Sequence, residues 1–454
     1  MNKLPTLLAL ALCSMAWTAQ AETIPATPLQ AATPVKSHNI NIQRWQLDNG
    51  AKVLLVERHE LPMVDIDVAF DAGTRRDAAN KIGVADYAGA LMDMGAGDLS
   101  EEDIRKQSSD LAVTVASYAG LERAGVRIRS LSAAPTLTPT LALANTILTQ
   151  PRYEAAVLKR EQDRSVLSLK QNETNPQFLG SRAMTRLNYP KHPYGYSAWE
   201  TEKTIRAITV ADLKRFHAQY FRPQTAVISI VGDMNRSQAE AMAKTLLAGL
   251  PQEPIKLKPV AAVPVKGGQT TEIAHPASQA HLSLGLPVFT RDDPDYFPLL
   301  IGNYTLGAGG FDSLLMQELR DKRGYTYGAY SNLEPLAQKG EFTISMSTKK
   351  ASAADSLKVT RQVVQDYIAQ GPTDAQLQQA KANIIGGFPM RFDTNGKLLS
   401  WLGTIGFYDL PSDYLDTYTQ KVQALTTAQI RDAWQRRIKV EDLNVVIVGG
   451  EKKP

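Results

Sequence analysis

Ile208-Thr209-Val210-Ala211-Asp212-Leu213 opens a stretch that closes on Ile228-Ser229-Ile230-Val231-Gly232, and Leu425-Thr426-Thr427-Ala428-Gln429-Ile430 opens another that closes on Val445-Val446-Ile447-Val448-Gly449. The two align without a gap: Thr209 falls on Thr426, Ala211 on Ala428, Val231 on Val448 and Gly232 on Gly449. Each begins with Thr-x-x-Asp or Thr-x-x-Gln, a pattern in which two side chains satisfy the free backbone amides at a helix start. Each then runs through a helix into an apolar strand that ends in glycine. Two copies of one module predict two homologous halves. Between them, residues 251–268 hold Pro251, Pro254, Pro259 and Pro264 with several lysines and a closing Gly267-Gly268, the composition of a semi-rigid linker. The halves are therefore placed at residues 39–250 and 269–450, about 200 residues each, an ordinary size for a domain.

The ends read differently. Lys3, the apolar run 4–17 and Ala19-Gln20-Ala21 follow the pattern of a secretory signal over residues 1–21, with a bacterial periplasm as the expected destination. Residues 22–38 are rich in Ala, Thr and Pro without periodicity and read as an extended arm. Cys13 is the only cysteine and lies in the signal, so the mature chain has neither a disulfide nor a Cys nucleophile and rests on its core alone. At a net charge of +4, with no Lys/Arg run interleaved with aromatics, no nucleic-acid partner is expected. No segment after the signal is apolar and long enough to span a bilayer.

Within the first half, Asp48-Asn49-Gly50 between apolar runs predicts a hairpin. The alternating strand Val64-Asp65-Ile66-Asp67-Val68-Ala69-Phe70 turns through Asp71-Ala72-Gly73-Thr74-Arg75-Arg76. It leads to Gly83-Val84-Ala85-Asp86-Tyr87-Ala88-Gly89-Ala90-Leu91-Met92-Asp93-Met94-Gly95, a buried helix by its spacing. Tyr189-Pro190-Lys191-His192-Pro193-Tyr194-Gly195 forms a loop in which His192 has no second metal ligand nearby, so a structural role is favoured over a catalytic one. In the second half, Leu306-Gly307-Ala308-Gly309-Gly310-Phe311 leads through a helix to Leu319-Arg320-Asp321-Lys322-Arg323-Gly324-Tyr325-Thr326-Tyr327. Read alone, Arg320 is a solvated helix-end cation, favoured there by the helix dipole, and Tyr327 a half-buried strand aromatic. Gly307, Gly309 and Gly310 either let backbone approach a ligand or form a turn.

Together these stretches resemble the M16 (pitrilysin-like) metallopeptidase family. The resemblance implies an α+β fold of two homologous α/β sandwich halves facing each other as a clamshell. It also implies a peptide substrate. The family's His-x-x-Glu-His motif, two zinc-binding histidines around a catalytic glutamate, falls here on Asp86, Gly89 and Ala90. One carboxylate, no side chain and a methyl hold no metal and activate no water. Glu161, or alternatively Ser168, falls near the family's third ligand, and without the histidines Glu161 reads as a surface helix residue. The Arg and Tyr that the family points into the cavity beside the zinc correspond to Arg320 and Tyr327, two donors suited to a developing oxyanion. Metal site lost and Arg/Tyr pair kept is the division of labour in two-chain M16 peptidases. The chain is thus expected to be inactive alone, to carry no cofactor, and to join a metal-bearing M16 subunit whose zinc it serves. The alternative is a peptide-binding or assembly protein with no hydrolytic role. Six histidines without a pair at helical spacing, and no Gly-x-Ser-x-Gly elbow, leave little room for other chemistry.

Overall fold

The two repeated strands occupy matching places in two separate sheets. The computed structural model describes residues 40–253 and 255–450, so the expected signal at 1–21, the arm at 22–38, Cys13 and Pro254 lie outside the described residues. The first sheet is built from β1 (Gln43–Gln46), β2 (Lys52–Glu57), β3 (Met63–Phe70), β4 (Thr114–Ala119), β5 (Ala124–Leu131) and β6 (Ala226–Gly232), in the order β1-β2-β6-β3-β5-β4. The second is built from β7 (Thr270–Ile273), β8 (Gln279–Phe289), β9 (Ala329–Leu333), β10 (Gly340–Lys349) and β11 (Asn444–Val448), in the order β7-β11-β8-β10-β9. β6 lies parallel to β2 and antiparallel to β3. β11 likewise lies parallel to β7 and antiparallel to β8. β6, buried at every residue, can be a continuous apolar run because strands flank it on both sides and both faces are covered.

Local chemistry makes these elements where the sequence places them. The Asp212 amide donates to Thr209 Oγ1 at 3.3 Å, and the Gln429 amide to Thr426 Oγ1 at 3.2 Å, closing the expected capping boxes at two equivalent helix starts. Each cap is worth about 1 kcal/mol. Gly50 takes φ +91° in the β1–β2 turn, and the Ala51 amide donates to Asn49 Oδ1 at 3.2 Å.

The sheets are tied together by an exchange of helices. Helix Asn395–Phe407, late in the sequence, packs on β6, β3 and β2 of the first sheet, while helix Pro176–Asn188, early in the sequence, packs on β8 and β11 of the second. The fit on the first sheet is close: a Cβ on Gly406 would lie 2.5 Å from Val227 Cγ1 and 2.6 Å from Leu54 Cδ1. One apolar cluster therefore runs from Leu54, Val56 and Val227 through Leu402 to Phe342 and Trp434. The exchange also alters the reading of β3. Its alternation marks two faces, yet Asp65 and Asp67 are buried like their apolar neighbours. Arg129 Nε donates to Asp65 Oδ1 at 2.6 Å, and Asp67 Oδ2 lies below Gly403 of the covering helix.

The linker is extended, without helix or regular strand over the described residues 255–268. Its carbonyls are held by the first half: His192 Nε2 lies 2.8 Å from the Ala261 carbonyl, and Arg76 Nη1 donates to that of Lys258 at 2.6 Å.

Candidate functional site

The helix with the altered motif, Val84–Ala90, starts from Gly83 at φ +91°, and its first amides are anchored by Asp77, which accepts from Gly83 N at 2.7 Å and Ala85 N at 2.8 Å. Asp86 opens to solvent on one side. The protein packed around it, and then the charge of Glu200, push its carboxyl up to about 7. Gly89 is buried, and a Cβ there would lie 2.9 Å from the Ala119 Cβ, the Ala124 Cβ and the Tyr118 carbonyl oxygen. The β4–β5 hairpin thus occupies the space a catalytic glutamate would need. Glu161 is taken up by Arg160 at 2.7 Å and Arg164 at 2.8 Å, and Ser168 accepts a hydrogen bond from Asn172 at 3.3 Å. Among the described residues there is no group of three or more His, Cys, Asp or Glu side chains that could hold a metal. His192 is a packing residue: it caps the helical turn Pro193–Trp199, stacks edge-on against Tyr194 and binds the linker.

Two π-helical turns, Tyr304–Ala308 and Gln317–Asp321, bracket the glycine-rich segment of the second half. Such turns insert one residue into a helix and re-aim the side chains around it. Arg320 sits on the second of them, with its guanidinium 4.6 Å from the centre of the exposed Phe311 ring and 3.6 Å from the Asp321 carboxylate. Tyr327, in the turn entering β9, is 90% exposed. It lines a cavity of about 790 Å³ over the second sheet, together with Tyr330, His281, Glu341 and residues of helix Pro176–Asn188. Glu341 in that wall is pushed up to about 7, first by burial and also by Glu334. Arg320 is not among the described residues that line the cavity. The glycines have local reasons to be small. A Cβ on Gly307 would lie 2.5 Å from Ser331 Oγ, and one on Gly309 2.7 Å from the Tyr304 carbonyl. Gly310 takes φ +73° with open space around it, a turn position.

Sequence reasoning missed Glu122, which nothing in its own neighbourhood advertises. It is buried in the β4–β5 turn and gathers four elements. Arg75 Nη1 and the Tyr194 hydroxyl each donate to its Oε1 at 2.5 Å, the Ala337 amide donates to the same oxygen at 3.3 Å, and the Tyr408 hydroxyl donates to Oε2. Burial, and after it the Glu122 charge, pushes both phenols above their ordinary range. The Ala-Gly-Thr-Arg turn and the His-Pro-Tyr-Gly loop therefore converge on one carboxylate that joins first-half to second-half chain.

The crystal structure of a peptidase M16 inactive domain from Pseudomonas fluorescens matches this fold with a TM-score of 0.87 at 34% identity, covering 91% of this chain and 98% of that one. The chain belongs to the M16 peptidase family. The peptidase M16 inactive domain family also matches residues 207–384 directly, from the first copy across the linker into the second half. Among relatives, the M16 chain is 23% identical over 410 residues to the non-peptidase homolog YmxG of Helicobacter pylori, covering 89% of this chain and 94% of that protein. It is 24% identical over 352 residues to the zinc protease PqqE of the same organism, covering 74% and 77%. The fold is the α+β clamshell of M16 proteins, and the chain is of the non-catalytic, inactive type, related to zinc proteases.

Proposed function

We propose that this M16 chain is the metal-free subunit of an exported, periplasmic heterodimeric zinc peptidase. It closes the peptide-binding cavity and lends Arg320 and Tyr327 to a zinc site carried by its partner. At that site the guanidinium and the phenol would donate to the oxyanion that develops on the scissile carbonyl, and the partner's zinc would supply the Lewis acid for the attacking water. The single observation that carries this reading is the exposure of Tyr327. A 90% exposed tyrosine in the turn before a sheet strand satisfies no packing need of its own chain. Phe311, 64% exposed beneath the Arg320 guanidinium, extends the surface on which a partner would sit. That Helicobacter pylori has both a non-peptidase homolog and a zinc protease similar to this chain supports a pairing of the two types.

A second reading, peptide binding without hydrolysis, is favoured by one fact: Tyr327 and Tyr330 line the cavity and Arg320 does not. Peptide hydrolysis by a metal-bearing M16 protein from the same source separates the two. It is assayed alone, with this chain, and with its Arg320→Ala and Tyr327→Ala variants. Activity that needs this chain and falls with either variant while the complex persists supports the subunit reading. A metal-bearing protein fully active alone and indifferent to this chain overturns it and leaves the binding role.

A further inference from the structure

The His-Pro-Tyr-Gly loop and the linker meet at one buried imidazole, and each ring nitrogen has a partner that fixes where the proton sits. The Tyr194 amide lies 3.2 Å from His192 Nδ1, and because a backbone N–H only donates, Nδ1 accepts. Nε2 lies 2.8 Å from the Ala261 carbonyl, which only accepts, so Nε2 carries the hydrogen. The ring is 3% exposed and stands beside Tyr189 and Tyr194, with ring centres 6.1 Å and 4.6 Å away. One neutral tautomer thus caps the turn Pro193–Trp199 and holds the linker at the same time. A second proton has only Nδ1 to bind, where it would face the Tyr194 N–H.

The surroundings give that proton no compensation. Among the described residues no carboxylate bonds to the ring. The phenols of Tyr189 and Tyr194 are raised by burial and stay neutral in acid. Glu122 is reached only through the Tyr194 hydroxyl and is already paired with Arg75, while Glu334 and Glu341 act on the Tyr189 phenol. Lys191, next in the chain, and Lys339, whose carbonyl accepts from the Tyr189 hydroxyl, are cations. Burial lowers the imidazole below its ordinary 6.5.

The same ring is the linker's polar tie at its middle. Arg76 binds the Lys258 carbonyl and Asn444 that of Lys266. Among the described residues, the bond from His192 to Ala261 is the only hydrogen bond to the linker between those two. Val263, two residues on, is buried against Tyr189 and Tyr194, the two rings beside the imidazole. We propose that His192 is an acid-sensitive latch on the linker: protonation at Nδ1 expels the ring from between the tyrosines, and the helix cap and the Ala261 anchor part together. The latch is shut above pH 6.5 and opens as pH falls below it, because the closed state needs the neutral ring. The exchanged helices still hold the halves, so the release is confined to the linker.

The test uses the full chain in a Cys13→Ser background, with Val263→Cys placing the one thiol on the buried linker residue. Its rate of maleimide labelling is measured from pH 7.5 to pH 5, relative to the same thiol in the urea-unfolded chain, with His192 present and with His192→Gln, whose amide stays neutral throughout. The relative rate is expected to rise severalfold in acid with His192 and to stay flat with glutamine, at constant far-ultraviolet dichroism. A flat rate with His192, the same rise with glutamine, or a rise that tracks loss of dichroism overturns the proposal. Ring nitrogen shifts of His192 in the natural chain give a measurement free of any substitution at the linker. An Nε2–H tautomer that titrates below pH 6.5 is expected, and an Nδ1–H tautomer, or titration above pH 6.5, overturns the latch.

Discussion

Writing the family's zinc motif back into the chain, with Asp86→His, Gly89→Glu and Ala90→His together, is expected to fail, and the reason is space. A Cβ at residue 89 would stand 2.9 Å from two alanine Cβ atoms and a backbone oxygen, where carbon contacts relax at about 3.5 Å. Neither alanine can rotate away, because both belong to the β4–β5 hairpin. Overpacking of this kind costs about 1–3 kcal/mol, against a gain of up to ~1 kcal/mol from replacing glycine within a helix. Gly89→Ala alone should therefore destabilise by up to about 2 kcal/mol. Glutamate adds four more heavy atoms and a carboxylate without a partner at a buried position, which raises the loss to ~4 kcal/mol or more, a large share of an ordinary domain's stability. Urea unfolding and zinc stoichiometry of the triple variant, of Gly89→Ala and of Asp86→His/Ala90→His provide the assay. The double variant should stay within about 1 kcal/mol of the natural chain, since it leaves the hairpin contact alone. A triple variant that keeps its unfolding midpoint and binds one zinc per chain would refute the reasoning.

Three further outcomes are expected. Glu122→Gln removes the charge opposite the buried Arg75 guanidinium and should cost about 3 kcal/mol, and Tyr408→Phe about 1–2 kcal/mol, both read by urea denaturation; losses under half a kcal/mol would show the junction to be incidental. Burial lowers His217 from an ordinary 6.5 to about 4, so the fold prefers its neutral ring; the stability is complete above pH 6.5 and is lost as pH falls toward 4, by up to about 3 kcal/mol. A pH series of unfolding midpoints should show this loss and a flatter slope in His217→Gln. Gly302→Ala places a Cβ 2.1 Å from Nε1 of the fully buried Trp434 and should cost roughly 3 kcal/mol in thermal or urea unfolding; an unchanged midpoint would mean the tryptophan has room to move.

Much of the architecture is legible in the residues because it is written locally. The threonine caps, the Asn-Gly turn and the gapless repeat announce β6 and β11 and their preceding helices, since capping and apolar runs act within a few residues. The loss of the metal site is legible for the same reason: it is a matter of three side chains on one short helix. What stays hidden is set by distant chain. The burial of Asp67 depends on Gly403, far along the sequence. The role of Glu122 depends on Arg75, Tyr194 and Tyr408 arriving from three other segments. The two π turns hide too, because their sequences suit an α-helix and tertiary packing selects the wider turn.

The exchanged helices bear on how the molecule moves. Each half's open sheet face is closed by a helix from the other: Leu398, Leu402 and Ile405 of one helix join the large core cluster, and Ala183 and Met184 of the other pack on Val446 and Val448. Prising the halves apart within a single chain would strip a helix from each sheet and wet that core, a cost on the scale of unfolding. The chain is built to swing as one stiff jaw. On the proposed pairing, a gap that admits a peptide would open along the boundary with the partner, where contacts can part and close without disturbing the interior.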